Sequence, residues 1–344
     1  MKKVNIALVG CGRIAEKHIE ALMKLPDDYR ITAVCDTVSE NLSKAVEITG
    51  AKGYASYDDL LEKEKPDLIT LCTPSGLHAA QGIKAAKKHI HVLSEKPMAT
   101  RLKDADDLIR TCDEQGVRLF VVKQNRLNST IQLLRRAIDK GRFGRIFTVE
   151  VNVFWARPQS YYDAAKWRGT WEFDGGAFLN QASHYVDLIT WLIGPPESVC
   201  AITGTLARKI EAEDTGAAVI RFRNGAIGSM TVTMLTWPKN LEGSITVIGE
   251  RGTVRIGGIA VNDIKHWEFD QYDDDDKVVE TASYKVESVY GFGHLGYYKN
   301  VADSLLRGID AHTDGREGRK SLELIEAIYI SARDKRFVNL PLTV

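Results

Sequence analysis

The chain has 344 residues, 44% of them hydrophobic and 27% charged, with 46 basic and 46 acidic side chains. That is enough apolar material for about two domains, and it excludes a disordered chain. Zero net charge excludes the broad basic field of a non-specific nucleic-acid binder.

The five cysteines stand at Cys11, Cys35, Cys72, Cys112 and Cys200. An odd number with no Cys-x-x-Cys pair argues against a disulfide framework or a zinc site. It points to a reducing compartment, and so to a cytoplasmic protein with no bound metal. No segment approaches the ~20 apolar residues of a membrane span. The apolar run after Lys2 and Lys3, residues 4–9, is too short for the roughly 7–15 residues of a signal h-region. It reads better as a buried first strand.

Taken in chain order, residues 4–9 are continuously apolar, as in a strand buried on both faces. A helix is predicted over 14–25 and a strand over 31–35. Another helix spans 39–49, with Ser39 as N-cap and Gly50 just past its end. Strands follow at 68–72, 91–93 and 119–122, separated by helical patterns at 77–88 and 102–115. This alternation implies a parallel sheet with right-handed crossovers. After Lys123 the texture changes. A helix at 129–139 ends at Gly141. Alternating runs then read as strands at 146–154, 198–206, 217–222, 226–233, 244–248 and 253–256. Asn224-Gly225 marks a hairpin. Adjacent, turn-linked strands imply a mostly antiparallel sheet. One helix, 177–192, interrupts them, and helices near 297–307 and 319–331 follow. The acidic run Asp273–Asp276 reads as a solvated hairpin tip, because it lacks the alternating ligands and Gly turn of a calcium loop.

Gly10-Cys11-Gly12-Arg13-Ile14-Ala15 follows a buried strand and opens a helix. In that context Gly10 permits a tight turn, Gly12 admits a pyrophosphate, and Ala15 allows close helix–strand packing. The helix N-terminus offers N–H groups to the anion. A plain glycine turn is the simpler alternative. Asp36 decides between them. It ends the second strand 26 residues beyond Gly10, where a carboxylate accepts ribose hydroxyls and repels a 2′-phosphate. No Arg or Lys follows at once, which favours NAD over NADP.

Three further groups carry chemistry. Thr73-Pro74-Ser75-Gly76-Leu77-His78 and Ser94-Glu95-Lys96-Pro97 each follow a strand at the carboxyl edge of the sheet. Lys96 there can stabilise an alkoxide or pass a proton, with Glu95 to tether it. On a helix over 177–192, Asn180, His184 and Asp187 are spaced i, i+4, i+7 and share a face. His184 is a candidate base and Asp187 can orient its ring.

Together with residues 123–126, these motifs resemble the Gfo/Idh/MocA family of NAD(P)-dependent oxidoreductases over nearly the whole chain. The resemblance implies an α/β protein: a Rossmann domain at 1–123 and an α+β substrate domain at 124–344. The second carries a large, open, mostly antiparallel sheet whose free face forms homo-oligomer contacts, in a dimer or tetramer. It implies that Lys96 and His184 are the catalytic pair, with substrate between the domains. NAD contacts fall to Gly10, Gly12, Arg13, Ile14, Asp36, Thr73, Pro74, His78, Glu95, Lys96, Gln124, Trp167 and Arg168. Asn180 departs from the acidic residue common in the family at that position. An amide cannot accept a proton, though it can still bond a hydroxyl.

Residues 154–171, with 123–126 and 180–188, resemble the nucleotide-sugar subgroup. Its members oxidise C3 of UDP-N-acetylglucosaminuronic acid in lipopolysaccharide O-antigen and related surface-polysaccharide synthesis. Arg157 and Arg168 suit diphosphate or carboxylate oxygens. Tyr161, Tyr162 and Trp167 suit ring faces. Trp155 and Trp171 fit either stacking or sheet packing. Asn125, Arg126, Asn180, His184 and Lys96 complete the expected contacts to an anionic UDP-sugar. Two alternatives stand beside this reading. A cyclitol or hexose dehydrogenase of the same family leaves the arginines unexplained. A non-catalytic NAD sensor needs neither Lys96 nor His184.

Overall fold

A computed structural model describes residues 3–285 and 293–343. The first elements are β1 (Val4–Val9), α1 (Arg13–Met23), β2 (Tyr29–Cys35), α2 (Ser39–Thr49), β3 (Lys52–Tyr54), α3 (Tyr57–Lys63), β4 (Leu68–Leu71), α4 (Ser75–Ala86), β5 (His91–Ser94), α5 (Leu102–Glu114) and β6 (Leu119–Val121). There follow α6 (Ser129–Asp139), β7 (Ile146–Phe154), α7 (Gln159–Asp163), a π turn (Ala177–Gln181), α8 (Ser183–Ile193), β8 (Pro196–Gly204), β9 (Thr215–Phe222), β10 (Ile227–Thr233), β11 (Glu242–Gly249), β12 (Gly252–Gly257) and β13 (Asp263–Phe269). The last are α9 (Val279–Ala282), α10 (His294–Arg307), α11 (Gly315–Asp334) and β14 (Val338–Asn339).

Two compact units form. The first is Met1–Lys123 with His294–Arg319, and the second is Gln124–Gly293 with Lys320–Val344. Residues 294–319 cluster with residues 1–123 rather than with the segment that precedes them. The reason is physical. The edge of β6 needs partners: the Val121 N–H donates to the Thr313 carbonyl, the Thr313 hydroxyl donates to the Val121 carbonyl, and Phe120 bridges Asp314. Tyr29 donates its hydroxyl to the Tyr298 carbonyl at 2.6 Å.

The first unit's sheet has the order β3-β2-β1-β4-β5-β6, and every pair is parallel. Ile6, Ala7 and Leu8 of β1 are wholly buried. The order reverses between β1 and β4, which opens a crevice at their carboxyl ends. Gly50 ends α2 with φ 65°, as its position implied. Ser39 is the first helical residue and not the cap; Val38 holds that place without a side-chain bond.

The second unit's sheet runs β13-β12-β11-β7-β10-β9-β8-β14. Only the β7–β10 pair is parallel. Val149, Val151 and Val153 of β7 are buried, together with Tyr185, Leu188 and Ile189 of α8, which packs on that strand. The other face is open in the single chain: Ile202, Ala217, Val219, Ile227 and Thr231 are exposed. Gly225 turns the β9–β10 hairpin at φ 87°.

The acidic run is not a solvated tip. Asp273 and Asp275 accept the Lys140 ammonium, and Asp276 takes the Arg142 guanidinium and the Trp267 indole N–H. Asp273 also caps the short turn that follows. Among the described residues no helix is long and apolar enough to cross a membrane. All five cysteines are free.

Candidate active site

In the first unit, the loop after β1 has the shape its glycines imply. Gly10 has φ +88°, and a Cβ there would lie 2.7 Å from the Cys72 carbonyl and the Thr73 nitrogen. No L side chain fits. At Gly12 a Cβ would meet nothing within 4 Å, so packing does not demand glycine there. Open space at the head of a helix is what an approaching diphosphate needs. Gly12 is itself the cap of α1 and brings no side-chain acceptor to the first-turn N–H groups.

Asp36 accepts the backbone N–H groups of Cys11 and Val38, each at 2.7 Å. It therefore ties the glycine loop to the end of β2 and holds a carboxylate beside the crevice. Each oxygen keeps a lone pair for a ribose hydroxyl. Burial, helped by Asp36, pushes the Cys11 thiol up to about 12, which leaves it inert. These residues fit an adenosine diphosphate. We expect Asp36→Ala to weaken NAD about tenfold, the loss of one charge-assisted bond, and to narrow the gap to NADP. Paired titrations check this. Equal wild-type affinity for NADP would remove Asp36 from the ribose.

Two residues expected at the cofactor also hold the carboxyl-edge loops. His78 is buried, with Nδ1 2.8 Å from the Pro97 carbonyl and Nε2 2.7 Å from the Thr73 carbonyl. It ties the two carboxyl-edge loops together. Glu95 is also buried, and turns to His18 at 2.8 Å and to the backbone N–H of Lys96 at 2.9 Å. It holds Lys96 by its backbone N–H. The Lys96–Pro97 peptide is cis. Thr73 donates its hydroxyl to Gln81.

In the second unit, the 177–192 segment is not one helix. A π turn over Ala177–Gln181 precedes α8, so the i, i+4, i+7 spacing does not set Asn180, His184 and Asp187 on one helical face. Asn180 donates its amide to buried Asp174, which also accepts the Gly169 N–H at 2.7 Å. His184 is 7% exposed, and its Nε2 lies 3.1 Å from the Gln124 amide nitrogen. With that amide donating, Nε2 is the acceptor nitrogen, as a base requires. Gln124 Oε1 and Asn125 Oδ1 are buried without hydrogen-bond partners, so this site has capacity to spare.

Arg126 meets Asp187 through Nε and Nη2 at 2.8 and 2.7 Å, and lies over the Trp191 ring. Arg157 and Arg168 both lie over the Tyr161 ring, with Cζ 5.4 and 4.3 Å from its centroid. Arg157 is held by Gln181 and Asn240. Arg168 donates Nη1 to the Tyr161 carbonyl, and its Nε is buried without an acceptor. Two cations beside one ring, one with an unmet donor, suit an anion. Arg168 also lies 5.5 Å from the Trp167 ring. Tyr162 is buried and packs edge-on to Tyr161, so it supports the site from beneath. Trp155 is core, donating its indole N–H to the Ile259 carbonyl, while Trp171 is exposed against Tyr329.

Glu213 escaped the sequence reading. Its Oε1 accepts the Phe178 N–H at 2.8 Å and the Tyr329 hydroxyl at 2.9 Å, which pins the π turn. Burial raises its carboxyl to about 7. A Cβ at Gly176 would strike that carboxyl, so glycine is required there.

Residues 4–123 match the oxidoreductase family's NAD-binding Rossmann fold, and residues 135–340 match its C-terminal alpha/beta domain. The chain belongs to the Gfo/Idh/MocA oxidoreductase family. Among solved structures of the family, it is similar to the WlbA dehydrogenase of Bordetella pertussis in complex with NADH and UDP-GlcNAcA. They share 57% identity and a TM-score of 0.97 over 99% of each chain. The Chromobacterium violaceum WlbA dehydrogenase, with the same two ligands, is 56% identical with a TM-score of 0.96, covering 100% of this chain and 98% of its own. More distant is the D-apiose dehydrogenase of Paraburkholderia graminis, 25% identical over 99% of this chain and 90% of its own length. The chain is an NAD-binding oxidoreductase of this family.

Proposed function

We propose that this protein oxidises the C3 hydroxyl of UDP-N-acetylglucosaminuronic acid to the 3-keto sugar nucleotide. The likeness to two dehydrogenases crystallised with NADH and UDP-GlcNAcA carries this reading. Arg168 supports it: its buried Nε has no acceptor in the chain, and a diphosphate or carboxylate oxygen gives it one that a free sugar lacks. The residues around Gly10, Gly12 and Asp36 hold NAD, which when bound accepts the hydride. His184 takes the hydroxyl proton, and the Gln124 amide keeps its ring oriented. Lys96 steadies the negative charge that develops on the sugar oxygen. Asn180, its amide N–H₂ bound to Asp174, turns its carbonyl oxygen to a substrate hydroxyl. The product suits a transaminase in the cytoplasmic supply of surface polysaccharide.

The test is NADH formation followed by absorbance with UDP-GlcNAcA, UDP-N-acetylglucosamine, glucose and myo-inositol in parallel. The acid is expected to turn over fastest, and the uncharged acetylhexosamine poorly. Turnover of glucose or inositol alone would restore the cyclitol reading. Binding calorimetry with NADH present detects the sugar nucleotide even where the equilibrium hides product.

The open face of the second sheet serves homo-oligomerisation in this reading. Exposed β-branched and small residues on β8, β9 and β10 form a surface suited to a second sheet. Thr231→Arg is expected to reduce the mass seen by sedimentation to a smaller assembly. A wild-type monomer at every concentration would rule this out.

A further inference from the structure

Inside the first unit lies a row of polar side chains that the reaction above does not use. His18 from α1, Thr70 from β4, Glu95 after β5, and His294 and Tyr298 from α10 all meet in its core. The Thr70 and Tyr298 hydroxyl oxygens are 3.2 Å apart, and the Tyr298 oxygen is 2.7 Å from His18 Nδ1. His18 Nε2 is 2.8 Å from Glu95 Oε1, and Glu95 Oε2 accepts the Lys96 backbone N–H at 2.9 Å.

Burial pushes the His18 pKa down, against the pull of Glu95, which favours the ring with one N–H. Burial alone would raise Glu95, but the two histidines beside it outweigh that, and the carboxylate stays ionised well below its usual range. Tyr298, the Cys72 thiol and His78 also feel the Glu95 charge, and Lys96 follows it in the chain. The directions of the hydrogen bonds are then forced. His18 donates through Nε2 to the anion, so Nδ1 must accept. Tyr298 donates to Nδ1, and Thr70 donates to the Tyr298 oxygen. The row ends on the N–H of Lys96. His294 Nε2 stands 3.8 Å from Glu95 Oε1 and completes no hydrogen bond.

We propose that Glu95, His18 and Tyr298 are positioning residues: they form a directed hydrogen-bond row that fixes the backbone carrying Lys96. The proposal rests on the reading of Lys96 as a catalytic residue. A preorganised supporting shell of this kind acts on turnover more than on binding.

The test uses the full-length protein with NAD and UDP-GlcNAcA. His18→Leu is expected to lower kcat at least tenfold, with the KM for the sugar nucleotide and the Kd for NADH within about threefold. His18→Gln should restore most of the turnover, because its amide offers one N–H to Glu95 and one oxygen to Tyr298. Glu95→Gln keeps the shape but replaces the carboxylate that accepts both the His18 and the Lys96 N–H groups, so it should lower kcat with the same small change in KM. Should His18→Leu fold poorly, Tyr298→Phe carries the same test, with the same split between kcat and KM. Unchanged kcat in His18→Leu and Tyr298→Phe, beside an inactive Lys96→Met, would overturn the proposal alone. So would stoichiometric zinc in the purified protein, which would make His18, Glu95 and His294 ligands. Full turnover in Lys96→Met would overturn the Lys96 reading, and this row's role with it.

Discussion

Lys96→Met and His184→Ala are each expected to cut turnover by roughly 10²–10⁴-fold, the usual loss for a positioned acid–base group. NAD affinity should change little, because the residues that suit the adenosine and diphosphate are Gly10, Gly12 and Asp36. The Gln124 amide is 3.1 Å from His184 Nε2, so Gln124→Leu should give an intermediate loss by freeing the ring. Near-normal steady-state turnover in either principal variant would remove that residue from the catalytic pair.

The second large effect is on stability. Asp187→Ala should destabilise the second unit by about 3–5 kcal/mol, because it strands the Arg126 guanidinium in the interior. Only 6% of the Arg126 side chain and 2% of that of Asp187 are exposed, and both bonds are short. The expected fall in melting temperature is roughly 6–20 °C. The double variant Arg126→Met with Asp187→Leu should recover much of the loss, since no buried charge is then left unpaired. A single variant that unfolds within 1 °C of wild type would show that water reaches Arg126.

The parallel sheet was the most legible part of the sequence. Strands buried on both faces leave unbroken apolar runs, so β1, β2, β4, β5 and β6 were read within a few residues. β3 was missed because Lys52-Gly53-Tyr54 is a short edge strand with no apolar run, and β13 because its burial barely alternates. The return of residues 294–319 to the first unit has no local signal at all; it follows from the unmet edge of β6. The π turn escaped for a related reason, since its cause is Glu213, more than thirty residues on in the chain. In the site, the glycine loop and Asp36 are legible because they stand at a strand–helix junction; the Arg126–Asp187 pair is not, because charged side chains beside a motif look alike whether they face a ligand or the core. His18 was within reach: it stands three residues after Ala15 and one before Ile19, on the buried face of α1.

The excursion of the chain between Lys123 and His294 bears on how the protein is made. At about 5–20 residues per second, the ribosome needs roughly 10–30 s to release Tyr298 after the β6 strand has emerged. Until then Tyr29 and His18 lack their partner, and the β6 edge lacks Thr313. The second unit waits longer still, since β14 at Val338–Asn339 pairs with β8. A nascent chain halted near residue 123 would therefore present an unfinished nucleotide fold, with the β6 edge and the Tyr29 hydroxyl still without the partners that residues 294–319 supply.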